Sequence, residues 1–213
     1  MRIGEKMDIV LASRNKKKID ELKAMLSSVS SNTINILSLD DIGITDDIEE
    51  NGDTFEENAR IKAMAGASKG YITVADDSGL CVDALNGAPG VHSARFSGHG
   101  DKENNKLLIE KLKDVPAEKR TARFVTNVVC IFPEQKDEIV TKGEVSGYIT
   151  ETPSGKNGFG YDPYFYYPPY NKTFAQLTQL EKNNISHRGK AMRSLVNILA
   201  EKIKEYDLSD ENK

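Results

Sequence analysis

TFEENARIKAMAGASKGYITVADDSG, residues 54–79, reads as a helix followed at once by a strand. Thr54 and Glu57 stand three positions apart, so hydroxyl and carboxylate can each satisfy the other's backbone donor in a capping box. Behind them Ala59, Ile61, Ala63, Met64 and Ala67 predict an Ala-rich helix ending near Gly70. Tyr71–Ala75 is then a β run, expected to stop at Asp76, Asp77, Ser78 and Gly79. A capped helix feeding an apolar strand is half of an α/β repeat, which sets the fold class as α/β.

The flanking sequence continues the alternation. Upstream, DIVLA at 8–12 is a short strand, followed by a polar turn and a helical pattern in Ile19, Leu22, Met25 and Leu26. Residues 34–39 read as a second strand, and a polar, acidic loop runs from Asp40 to Asp53. Downstream, 85–100 is dense in Gly and Ser and predicts loop and turn. A helix fits 104–112. The runs 123–132 and 137–150 flank PEQK, the clearest hairpin signal in the chain. A Gly-rich loop spans 152–162, and Ser186 caps a last helix with Met192, Leu195, Val196, Leu199 and Ile203 on its apolar face. The polar tail from Asp207 is expected to fray. Together these elements predict a mixed β-sheet flanked by helices. With no separating linker, 1–213 is expected to be a single domain, with residues 1–7 and 207–213 peripheral.

Composition narrows the class. The 213 residues carry 29 Lys and Arg against 33 Asp and Glu, a net charge of −4, which argues against duplex nucleic acid as a partner. No apolar run is long enough to span a membrane, and the first residues lack the apolar stretch of a secretory signal. Cys81 and Cys130, each in an apolar stretch, predict buried thiols in a reducing cytoplasm.

Five segments can carry chemistry. Ser13, Arg14, Asn15, Lys16, Lys17 and Lys18 lie between a strand and a helix, where free backbone donors and the positive dipole end favour an anion. The other reading is that Ser13 or Asn15 caps the helix while the lysines stay solvated. Asp76 and Asp77 end an apolar strand and, as neighbours on a strand, face opposite sides. An Asx turn explains them equally well. Glu49 and Glu50 precede Gly52 in the acidic loop; oxygen ligands of this kind suit Mg²⁺, and no His/Cys set has zinc spacing. Phe159, Gly160, Tyr161 and Asp162 close the Gly-rich loop, and either ring could stack on a purine. Lys182, His187 and Arg188 bracket the start of the last helix. Cations are disfavoured in a first helical turn, which points to another duty, such as donating to a ligand.

The ordered motifs S-x-N-x-x-K, E-x-x-G-x-T-F-x-E-N-A, A-D-D-S-G-L, G-A-P-G-V-x-S-A-R, F-G-Y-D-P and S-H-R resemble the inosine triphosphate pyrophosphatase family, also called RdgB-like or XTP/dITP diphosphatases. The resemblance covers nearly the whole chain. It implies an elongated mixed sheet with two lobes around a central nucleotide cleft. It also implies Mg²⁺-dependent hydrolysis of ITP, dITP and XTP to the monophosphate and pyrophosphate by a cytoplasmic homodimer. Residue by residue, it assigns Ser13, Asn15 and Lys18 to the triphosphate loop and Glu49 to the metal, with Glu50 as the alternative. Asp77 becomes the catalytic acid at the metal, Asp76 a secondary base or support, Ser78 a substrate contact and Lys62 a phosphate-side lysine. Phe159 to Asp162 become the base-binding strip, and Lys182, His187 and Arg188 surround the phosphate and the purine edge. Gln176 departs from the family, which often has Glu there. The rival readings are a Maf-like nucleotide pyrophosphatase and a non-catalytic binder of nucleotides or single-stranded RNA.

Overall fold

The computed structural model describes residues 7–14, 19–20, 23 and 34–210, with side chains as far as 202. Strand β1 (Met7–Leu11) lies between β2 (Ile34–Ser38) and β3 (Ile72–Val82), parallel to both. The sheet continues through β4 (Thr121–Phe132), β5 (Asp137–Ile149), β6 (Phe165–Tyr167) and β7 (Lys172–Thr173), in the order β2-β1-β3-β4-β5-β6-β7. The pairs β5–β6 and β6–β7 are antiparallel, so the sheet is mixed, as expected. Helices α1 (Phe55–Ala67), α2 (Asp101–Leu112), α3 (Gln179–Ile185) and α4 (His187–Asp210) flank it.

The chain divides into two compact units, and β3, β4 and β5 each contribute residues to both. The first unit comprises residues up to Asp77, Asn127–Lys142 and the chain from Ala191; the second comprises Ser78–Thr126 and Gly143–Lys190. In the first, alternate residues of β1 enter two different cores, as the period of a strand requires. Ile9 and Leu11 join Val74, Val128 and Cys130 against Ala191, Met192, Leu195 and Leu199 of α4. Val10 joins Ala75 and Val129 against Ala59, Ala63 and Ala67 of α1. The alanines recur every fourth residue and form the packed stripe, while Met64 is exposed. In the second unit Leu80, Val82, Phe124, Val145 and Phe165 pack with Leu108 and Leu112 of α2.

Two boundaries and one helix differ from expectation. β3 does not stop at Asp76; it runs on to Val82, because Leu80 and Val82 are themselves buried core residues of the second unit. The two aspartates therefore sit in mid-strand, and neither an Asx turn nor a strand terminus describes them. Helix α3 has no counterpart in the sequence reading, although Thr178 and Glu181 form its capping box. Helix α4 extends to Asp210, past the point where fraying was expected. Among the described residues no helix is long and apolar enough to cross a membrane. Cys130 is fully buried, which pushes its thiol up to about 12, whereas Cys81 is only partly covered.

Arg60 ties α1 to β5. Its Nε and Nη2 donate to the two carboxylate oxygens of Glu138 at 3.0 and 2.8 Å, and Nη2 also donates to Glu56 at 2.7 Å. The hydrogen bond from Arg60 holds the Glu138 carboxyl below its ordinary 4.5. A carboxylate depressed in the folded state stabilises fully above the unfolded value and loses that contribution as pH falls through the folded value. Melting curves between about pH 3 and about pH 7 should therefore show Glu138→Gln less stable than the parent at neutral pH, with the gap closing in acid. A gap of constant size would remove the ion pair from the stability of α1.

Candidate active site

Asp77 is the centre of a polar group in the first unit. Lys62, one turn after Asn58 on α1, places its ammonium 3.5 Å from Asp77 Oδ1 and 3.2 Å from Glu50 Oε2. Asn58 donates from Nδ2 to Asp77 Oδ2 at 3.2 Å. Residues four apart share a helix face, so the capping box that starts α1 also aims both side chains at β3. In that box Thr54 accepts from the Glu57 amide at 3.1 Å, while Glu57 accepts from the amides of Asp53 and Thr54. Asp76 is buried, and the side chain of Asp77 is 13% exposed.

The donor set fits a hard divalent cation. Glu50 and Asp77 offer oxygen ligands on either side of the Lys62 ammonium. Among the described residues no group of three or more His, Cys, Asp or Glu is drawn together as a ready-made metal site. Mg²⁺ requires no such group, since it takes one or two carboxylates and completes its shell with water and phosphate oxygens.

A second polar group lies in the second unit, around the ring of Phe159, which is 48% exposed. Lys182 Nζ stands 5.0 Å from the ring centroid and Arg188 Cζ 6.0 Å from it, within the range of cation–π attraction. Buried Asp162 accepts from the Phe159 amide at 2.9 Å and from the Lys182 ammonium, so one carboxylate sets both the strip and its cation. Gly158 has φ +76°, and a Cβ there would fall 2.0 Å from Asp162 Oδ2, so only glycine fits. Helix α2 holds the next residue: Asp101 accepts from the Gly160 amide at 2.8 Å, and Asn105 donates to the Gly160 carbonyl at 2.9 Å.

Residues 9–198 match the sequence profile of the Ham1 family. The chain belongs to the Ham1 family. A dITP/XTP pyrophosphatase of Nocardia farcinica is 49% identical over 195 residues, 90% of this chain and 94% of that protein. One of Leuconostoc mesenteroides is 45% identical over 192 residues, 89% of this chain and 94% of its own. Among solved structures, a HAM1 protein from Coxiella burnetii superposes with a TM-score of 0.85 at 40% identity, covering 92% of this chain and 99% of that one. A nucleoside-triphosphatase, dITP/XTP pyrophosphatase, from Mycobacterium abscessus gives 0.77 at 45% identity, covering 91% and 100%.

Asp77, Lys62 and Glu50 converge; Glu49 is exposed beside them in the chain. Phe159, Lys182 and Arg188 converge in the second group, and Asp162 is a buried brace for them. Of the two rings considered for the base, Tyr161 is the one packed in the core. It is 5% exposed, its hydroxyl donates to the Ser93 carbonyl at 2.8 Å, and burial raises its pKa. His187 is likewise buried, its ring stacked on Phe124 at 4.9 Å. Arg14 anchors the acidic loop, its guanidinium donating to the carbonyls of Thr45 and Asp46 and to the carboxylate of Asp47. Ser78 accepts from the Thr126 hydroxyl at 2.8 Å. Ser13 is partly exposed after β1; Asn15, Lys16, Lys17 and Lys18 lie outside the described residues. Gln176 bonds the Thr173 amide at 2.8 Å, a capping duty that glutamine performs as well as glutamate.

Sequence reasoning missed Asn58, Asp101 and Asn105. The signal was the four-residue spacing of Asn58 to Lys62 and of Asp101 to Asn105, which puts each pair on one helix face.

Proposed function

We propose that this protein hydrolyses non-standard purine nucleoside triphosphates (ITP, dITP and XTP) to the monophosphate and pyrophosphate. The observation that carries the reading is the Glu50–Lys62–Asp77 arrangement, a carboxylate held in place by a cation and an amide on a buried strand. The names of the Nocardia and Leuconostoc relatives support the substrate class.

In this reading Asp77 orients a water and takes its proton. The water oxygen bonds to the α-phosphorus, the bond from that phosphorus to the α,β-bridging oxygen breaks, and pyrophosphate leaves as one unit. Lys62 offsets phosphate charge. Mg²⁺, when bound, would neutralise further phosphate charge; Asp77 and a loop glutamate would hold it. The spacing to Gly52 favours Glu49, and the place against Lys62 favours Glu50. Phe159 offers its ring to the purine, with Lys182 and Arg188 as donors near it. Hypoxanthine and xanthine present a carbonyl at position 6 where adenine presents an amine, a mismatch costing about 1–3 kcal/mol per unsatisfied group. The reading also takes the enzyme as a cytoplasmic homodimer, an expectation that rests on the family resemblance and that sedimentation can check for assembly.

Pyrophosphate release from ITP, dITP and XTP with Mg²⁺, measured against GTP, ATP and dUTP, tests the proposal. The three inosine- and xanthosine-type substrates should be turned over well ahead of the others. Preference for dUTP would favour the Maf-like alternative, and binding without release would favour a non-catalytic binder.

A further inference from the structure

Asn58 is fully buried, yet neither end of its side-chain amide is spent on the core around it. Its Oδ1 accepts from the Gly52 amide at 2.8 Å, and its Nδ2 donates to Asp77 Oδ2 at 3.2 Å. The assignment of the two ends follows from chemistry. A backbone N–H can only donate, so it must meet the amide oxygen, and an ionised carboxylate can only accept, so it must meet the amide nitrogen. The acidic loop therefore dictates which way Asn58 points, and Asn58 in turn fixes one oxygen of Asp77. Gly52 is close-packed for this purpose: a Cβ there would lie 2.7 Å from Glu57 Cβ and 2.9 Å from Asn58 Oδ1.

We infer that Asn58 is a positioning residue for the proposed hydrolysis, holding the Asp77 carboxylate in the orientation the reaction needs. The inference rests on the role given to Asp77 above. Lys62 neutralises Oδ1 from one direction at 3.5 Å, but an ammonium is a point charge and sets no plane. The amide donor at Oδ2 supplies the second anchor, and two anchors stop rotation about the Cβ–Cγ bond. Asn58 acts through the Asp77 carboxylate that it hydrogen-bonds.

Asn58→Asp separates this duty from holding the loop. The carboxyl that replaces the amide still accepts from Gly52, but toward Asp77 it presents either a like charge or a proton that the two carboxyls share, so the fixed N–H donor that orients Asp77 is gone in both forms. With dITP as substrate, kcat should fall about 10- to 100-fold, the size of effect that misplacing a reacting group produces, while KM stays near the parent value. Asn58→Ala should lose kcat similarly and melt lower as well. A second readout needs no turnover. In the ¹H–¹⁵N spectrum, the side-chain amide signal of Asn58, assigned by its loss in Asn58→Asp, should move upfield in Asp77→Ala. A folded Asn58→Asp with parental kcat, or one that changes only KM, would overturn the inference. So would an amide signal indifferent to Asp77→Ala. If the parent protein releases no pyrophosphate at all, the functional proposal fails, and the spectrum still decides whether Asn58 is anchored to Asp77.

Discussion

Asp77→Asn should lower kcat for pyrophosphate release by about 10³-fold, the range expected when a general base is removed. The substitution preserves size, and an amide oxygen can still accept from Asn58, so the fold of β3 should survive. It cannot take a proton from water, and it places a neutral group against Lys62, which now stands 3.5 Å from a carboxylate oxygen. Nucleotide binding should persist, because Phe159, Lys182 and Arg188 belong to a separate group of contacts with its own brace in Asp162. Titration calorimetry with a slowly hydrolysed nucleotide and steady-state assays on the same preparation test both halves. A variant that turns over dITP at near-parental rate would end the assignment of Asp77.

Lys62→Met should cost activity and stability together. The methionine keeps the length of the stem but removes the ammonium that lies between Glu50 and Asp77. Glu50 and Asp77 then lose the counter-charge that Lys62 supplies to both, and Asp77, largely buried, cannot turn to water for relief. The expected result is a fall of about 10²-fold in kcat/KM, the size seen when one preorganised charge donor is lost, with a lower melting temperature. Adding Glu50→Gln removes one of the two charges in repulsion. The double variant should regain most of the melting temperature but little of the activity, since stability depends on balanced charge, whereas catalysis in the proposed reading needs the cation and the loop glutamate. If activity returned with stability, Lys62 would be a structural residue only.

Much of the candidate site was legible in order along the chain. The capping box at Thr54 and Glu57, the helix cap at Ser186 and the strand–helix alternation depend on hydrogen bonds and side-chain periods spanning only a few residues. Ser186 does accept from the Gly189 amide at 3.1 Å, as its position suggested. The burial of Tyr161 and His187 is not written locally, for the opposite reason. Their burial depends on Ser93 and Phe124, which lie 68 and 63 positions away in the chain, and no local pattern announces such neighbours. The continuation of β3 beyond Asp77 has the same origin, since Leu80 and Val82 join a core supplied largely by α2, β4 and β5.

What the amino-acid order determined by itself was the α/β class, the starts of α1 and α4, and the identity of the residues with chemistry to offer. What only the tertiary structure decided was which of them meet: Glu50 and Asp77 on Lys62, Asn58 between Gly52 and Asp77, and Phe159 rather than Tyr161 as the open ring. Local propensity acts over a turn of helix or a step of strand. Convergence of side chains from separate elements is set by packing between them, where burial and unsatisfied donors select one arrangement out of many.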